Sequence, residues 1–175
     1  MEMDKQLALK ALKKLDILLV ESEFGHITLI VGGGGAMILQ YGFDGGTVDI
    51  DAVPLKVDFD TLKPFMSKVA KELGIAPDWL NPYYQTFTIY LPNDAKSRMK
   101  LTYQGKSLTV KTLGPEDILI MKLMAGRSKD ISHIKHLIKS QIDHGIVDNR
   151  LEELCKLFPK EAKKALNLFE DLTDG

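Results

Sequence analysis

The stretch VGGGGAMILQYGFDGGTVDIDAV, residues 31–53, constrains the fold more than any other part of the chain. The β-rich run HITLIV leads into four glycines, residues 32–35, and the short apolar run AMILQYG follows at once. Glycine adopts backbone conformations closed to other residues and lets a ligand approach the main chain. Strand, glycines and short helix together predict a turn at a helix N-terminus, where amides without helical partners favour anions such as phosphate. FDGG then reverses the chain, and residues 47–53 alternate in strand fashion. Side chains two apart on a strand share a face. Asp49 and Asp51 are therefore expected to project together, with Val48, Ile50 and Ala52 turned the other way into a core. Two neighbouring carboxylates repel one another unless a cation lies between them. Mg2+, or Mn2+ in its place, suits oxygen ligands combined with substrate phosphate.

A strand, a glycine loop, a helix and a later acid also outline a dinucleotide-binding unit. The details fit it poorly. The third glycine of GxGxxG, counted from Gly32, falls on Met37, and the helix has room for only about two turns. The acids also come as a pair inside the second strand. No Walker-type lysine follows the glycines, which disfavours a P-loop as well.

The remaining pattern predicts an α/β (α+β) domain, a mixed sheet flanked by helices with a helical C-terminal part. Ala8, Ala11, Leu12, Leu15, Leu18 and Leu19 form a helical stripe near the start. A helix capped by Asp60 or Thr61 is expected to run to about Leu73, closed by Gly74. Strands are expected at residues 85–91, 98–103 and 107–113. From Pro115 onward the chain reads as helix. One stripe runs through Ile131, Ile134, Leu137, Ile138 and Ile142, with Gly145 as its stop and His144 at its end, and two further segments meet at Pro159. With 175 residues, a single domain is expected, its α/β core over about 1–113 and C-terminal helices over about 114–175.

Charge and composition narrow the class further. The net charge of −1 gives no global footprint for nucleic acid. Asp44, Asp49, Asp51, Asp58 and Asp60 cluster against Lys56 alone, whereas residues 96–139 are mostly basic. No apolar run suggests a membrane span, and the single Cys155 fits a reducing cytoplasm. Lys122 is the only charge in the apolar run 118–125, so it is either a phosphate partner or a stem that snorkels to water. Arg127 is a second such cation, and Asp130 a carboxylate that would hold either of them in place. His133 and His136 share a helix face but lack a third ligand. Trp79, Tyr83 and Tyr84 suit packing against the sheet better than stacking on a base.

These elements resemble the nucleotidyltransferase fold of the DNA polymerase β superfamily. Gly34 and Gly35, thirteen residues, then Asp49-Ile50-Asp51 is similar to its signature. Thr47-Val48-Asp49-Ile50-Asp51 resembles the T-x-D-I-D of bacterial and archaeal nucleotidyltransferase-like proteins of unassigned activity, some related to abortive-infection toxins. Asp78-Trp79-Leu80-Asn81 and the run from Pro115-Glu116-Asp117 through Met121-Lys122-Leu123, Ala125, Arg127 and Lys129-Asp130 are similar to further elements of that family. The resemblance implies Mg2+-dependent (or Mn2+-dependent) transfer of a nucleotidyl group from a nucleoside triphosphate to an acceptor, RNA or protein. Gly33, Gly34, Gly35, Thr47, Lys122 and Arg127 would contact the nucleotide, and Asp49 and Asp51 would hold the metal. It also implies a third carboxylate on a neighbouring strand, where the run Arg98–Thr102 offers Arg98 and Lys100, with Asp94 at its approach. The alternative is a catalytically silent nucleotide-binding protein, or a regulator such as one member of a toxin–antitoxin-like pair.

Overall fold

The computed structural model describes residues 2–140 and 142–173. The chain divides into two compact units, one formed by residues 1–85 with 99–113 and the other by 86–98 with 114–175.

The first unit is built on a mixed sheet of five strands, β1 (Ile27–Val31), β2 (Ile50–Leu55), β3 (Leu80–Asn81), β4 (Lys100–Gln104) and β5 (Leu108–Thr112), in the order β3-β2-β1-β5-β4. Strand β1 runs parallel to β5 and antiparallel to β2; β3 runs parallel to β2. Helices α1 (Lys5–Glu21), α2 (Gly33–Gln40) and α3 (Lys63–Leu73) accompany the sheet. The stripe foreseen for α1 is buried, and Asp4 caps the helix by accepting from Leu7 N–H at 2.8 Å.

Asp16 is the one charged residue on the buried stripe of α1, at 7% exposure. Its carboxylate accepts from the backbone amides of Ser107 at 2.7 Å and Lys106 at 3.2 Å, and from the Tyr103 hydroxyl at 3.3 Å. It occupies the space a side chain at Gly105 would need, since a Cβ there would lie 2.2 Å from Oδ2. Helix α1 is thus bonded to the β4–β5 hairpin through a buried acid. Asp16→Ala leaves two turn amides without that acceptor and is expected to cost about 2 kcal/mol of stability. Urea unfolding checks this, and a loss under about 0.5 kcal/mol would assign the hairpin's position to apolar packing instead.

Three strand expectations change. The segment expected at residues 47–53 enters the sheet only at Ile50 and continues to Leu55. Thr47 is held instead by a two-way backbone bridge to Met3, and its hydroxyl donates to the Asp49 carbonyl oxygen at 2.9 Å. Ile50 and Ala52 face the core as expected, but Val48 lies outside the ladder and is 63% exposed. Residues 83–90 form 3-10 turns in place of a strand. Pro82 opens them, Gln85 N–H bonds back to the Pro82 carbonyl, and Arg150 takes the carbonyls of Tyr90 and Leu91 at 2.8 and 3.0 Å. Local and side-chain partners thereby replace a ladder. Strand β4 starts two residues later than expected because Arg98 closes a 3-10 turn, Ala95–Arg98. The helix to Leu73 is α3; Asp58, not Asp60 or Thr61, caps the 3-10 turn Phe59–Leu62 before it.

The second unit contains α4 (Pro115–Ala125), α5 (Ile131–Ile138), α6 (His144–Leu157) and α7 (Pro159–Thr173). Pro159 opens α7 where two segments were expected to meet. Gly145 and His144 open a helix where they were expected to close one. The Asp143 carboxylate accepts from Gly145 N–H at 2.9 Å and Ile146 N–H at 3.4 Å, an N-cap that restarts the helix at this point. Among the described residues, no helix is long and apolar enough to cross a membrane.

Candidate active site

The glycine turn and the acidic strand are bonded directly. Gly32 N–H donates to the Asp51 carbonyl oxygen at 3.0 Å, and α2 begins at Gly33. The first amide bound within the helix is that of Ala36, to the Gly32 carbonyl. The amides of Gly33, Gly34 and Gly35 are therefore those that a helix N-terminus offers to outside acceptors.

Each glycine contact has a separate cause. Gly33 has φ +56°, and a Cβ on it would lie 2.2 Å from the Asp51 Oδ2. Only glycine allows the turn and the carboxylate to come so close. A Cβ on Gly35 would meet Ile50 at 3.1 Å, so that residue sits where helix and strand pack. The Tyr84 ring covers Gly32, and its hydroxyl donates to the Ile30 carbonyl at 2.8 Å. Burial, reinforced by the charge of Asp51, pushes this phenol well above its ordinary range, so it stays a neutral donor.

The two acids share a side of the sheet. Asn81 stands opposite Asp51 in the parallel β2–β3 register, and its Nδ2 donates to Asp49 Oδ2 at 2.9 Å. Residues in register project to the same face, so the Asn81 side chain lies on the Asp51 side of the sheet while it bonds Asp49. Ile50 and Leu80, the alternating pair, are fully buried on the other face. Asp49 and Asp51 are themselves half-buried.

The donor set fits a hard divalent cation. Both side chains offer carboxylate oxygens on one face, beside amides suited to phosphate. Among the described residues, no group of three or more histidine, cysteine or acidic side chains is placed to hold a metal. A cation here would complete its shell with phosphate oxygens and water, as Mg2+ commonly does.

Thr47 contributes through the backbone of this site, by its bond to the Asp49 carbonyl. Gly45 lies two residues before it, and any side chain there would collide with the Phe43 ring, 2.2 Å from a built Cβ. Trp79 is fully buried, its indole N–H donating to the Met66 carbonyl at 3.2 Å, which agrees with a packing role. Tyr83 is exposed.

Lys122 and Arg127 belong to the second unit, where both pair with Asp130. Lys122 is 3% exposed, and its ammonium bonds Asp130 Oδ1. Arg127 Nε donates to Asp130 Oδ2 at 2.7 Å, and its guanidinium lies 5.5 Å from the Phe87 ring centroid. Asp130 thus holds both cations in place, where the sequence suggested it would hold one or the other. His133, one turn on, faces the same carboxylate with Nδ1 3.6 Å from Oδ1. Burial alone would raise the Asp130 carboxyl; the nearby His133 and the bonds from Lys122 and Arg127 overcome that and hold it below the usual carboxylate range.

The strand from which a third carboxylate was sought does not adjoin the acids. Strand β4 is at the far end of the sheet from β3, with β1 and β5 between it and β2. Lys100 lies over the Tyr41 ring, 5.5 Å from its centroid. Arg98 and Asp94 bind one another at 2.7 Å, and Arg98 also makes a two-pronged contact with Asp117. The neighbour of β2 on its outer side is β3, and Asn81 is the residue that sequence reasoning did not place in the site.

A family model described as nucleotidyltransferase of unknown function (DUF6036) matches residues 8–171. No curated protein and no solved structure matches the chain.

Proposed function

This chain belongs to the family of nucleotidyltransferases of unknown function (DUF6036), and from that premise we propose that it transfers a nucleotidyl group from a nucleoside triphosphate to an acceptor hydroxyl in a divalent-cation-dependent reaction. The observation that supports this reading is the close approach of Asp51 to Gly33, which brings one carboxylate of the acidic pair beside the helix N-terminus. Asp49 and Asp51 would hold Mg2+ or Mn2+. The bound ion would supply charge neutralisation at the transferring phosphoryl group. The amides of Gly33, Gly34 and Gly35 would receive phosphate oxygens, and Thr47 would fix the main chain beneath Asp49. Lys122 and Arg127 enter the reading as a structural ion-pair cluster with Asp130.

The test is incubation with nucleoside triphosphates labelled at the α-phosphate, with Mg2+ or Mn2+, against RNA and protein acceptors. Label transfer by the wild type, falling at least about 1000-fold in Asp49→Ala, is the expected result. Transfer that persists in Asp49→Ala would remove the acidic pair from the chemistry.

One observation favours a second reading. The residue facing the acids from the adjoining strand is an amide, which cannot act as a general base. A catalytically silent nucleotide-binding protein, acting on a partner in the manner of a toxin–antitoxin pair, would retain the acids and the glycine turn. It predicts nucleotide and cation binding without label transfer.

A further inference from the structure

Asn81 is fixed at both ends of its amide. Its Oδ1 accepts from Tyr83 N–H at 2.9 Å, which leaves Nδ2 turned to Asp49 Oδ2, also at 2.9 Å. The hydrogen-bond network therefore determines which end is nitrogen. The backbone positions the residue as firmly. Leu80 and Asn81 pair with Ile50 and Asp51 in parallel, and Ile50 N–H donates to the Trp79 carbonyl at 2.6 Å. Leu80, which alternates with Asn81, is fully buried, as is Trp79 just before the strand, so the short strand is anchored in the core.

We infer that Asn81 is the third member of the acidic site, a neutral positioning residue that orients Asp49 for cation binding and holds the site at two negative charges. The inference rests on the metal-dependent reading above. An aspartate is nearly the same shape as asparagine but differs in a decisive way here. Its one oxygen would still accept from Tyr83 N–H, and its other would face the Asp49 carboxylate. Two like charges would then oppose one another without a cation and be bridged by one when it is present. The native amide removes that repulsion and occupies one Asp49 oxygen with a donor. A site of this kind binds a bare cation modestly and depends on the phosphates of a nucleotide to complete the coordination.

The experiment uses the full chain and Mn2+ alone as probe, with binding read by electron paramagnetic resonance and melting followed with and without the ion. Asn81→Asp is expected to melt lower than the wild type in chelator, by about 3 °C. It should bind Mn2+ about tenfold more tightly and recover more than the wild type does when the ion is added. Asn81→Ala is expected to bind Mn2+ about tenfold more weakly, as loss of an orienting partner does. A purely structural asparagine would lower the melting temperature in both variants with no differential response to Mn2+. If both variants bind Mn2+ as the wild type does while Asp49→Ala does not bind, the inference on Asn81 fails and the acidic site stands. If Asn81→Asp binds and the wild type does not, the position is supported and the native metal dependence is overturned. Absence of Mn2+ binding throughout overturns both.

Discussion

Asp130→Ala is expected to destabilise the protein by about 3–5 kcal/mol, the largest stability effect of any single substitution considered. The carboxylate is 3% exposed and bonds Lys122, itself 3% exposed, and Arg127. Removing it takes the Asp130 carboxylate away from an ammonium buried in α4, a helix whose residues from Pro115 to Met124 are all buried. Equilibrium unfolding in urea measures the change. The paired variant Lys122→Met with Asp130→Leu removes both charges together and is expected to recover most of the loss, since desolvation falls with the attraction. A loss under about 1 kcal/mol in Asp130→Ala would show that water reaches Lys122. The same cluster sets a pH dependence. Folding holds the Asp130 carboxyl below its unfolded value, so its contribution is fully present above about pH 4 and drains away as the pH falls below that. Asp130→Asn should flatten the acid limb of stability, as measured by urea midpoints across this range.

Gly33→Ala is expected to reduce nucleotidyl transfer as far as loss of Asp51 does, while the protein still folds. Two effects separate cleanly. The left-handed backbone, φ +56°, costs a non-glycine residue about 1–2 kcal/mol. The new methyl group would also lie 2.2 Å from Asp51 Oδ2, so the carboxylate must turn away. Gly42 supplies the control. It has φ +64° and nothing within 4 Å of a built Cβ, so Gly42→Ala incurs the backbone strain alone. The two variants should therefore melt at similar temperatures, within about 3 °C. Only Gly33→Ala should lose Mn2+ binding and label transfer. Equal transfer in both would show that Asp51 tolerates displacement.

The acidic pair and the glycine turn were legible because both depend on local rules. Strand β1 and the helix N-terminus at the glycines follow from apolar patterning and glycine's conformational range. The burial of Ile50 and Ala52 follows from two-residue alternation. Asp130 was legible as a partner of Arg127 because residues three apart come within reach in a helical turn; Lys122 reaches it across the helix end at Gly126, which spacing alone does not give. The register of β3 was not legible. Two residues of strand carry too little periodicity to mark them, and the partner of Asp51 is set by the burial of Trp79 and Leu80 thirty residues away in sequence. Residues 85–91 misread for a related reason: their β-branched and aromatic residues suit a strand, but Pro82 and the reach of Arg150 supply other partners for the backbone.

By itself the sequence determined strand β1, the glycine turn after it and the α+β class, because backbone rules settle the first two locally and the run of elements settles the third. Tertiary structure alone decided which strand adjoins the acids. Sheet order places β3, not β4, beside β2, so the neighbour of Asp49 is the Asn81 amide and not Arg98, Lys100 or Asp94. Strand order reflects how the buried faces of distant segments pack, and no local pattern of residues encodes it.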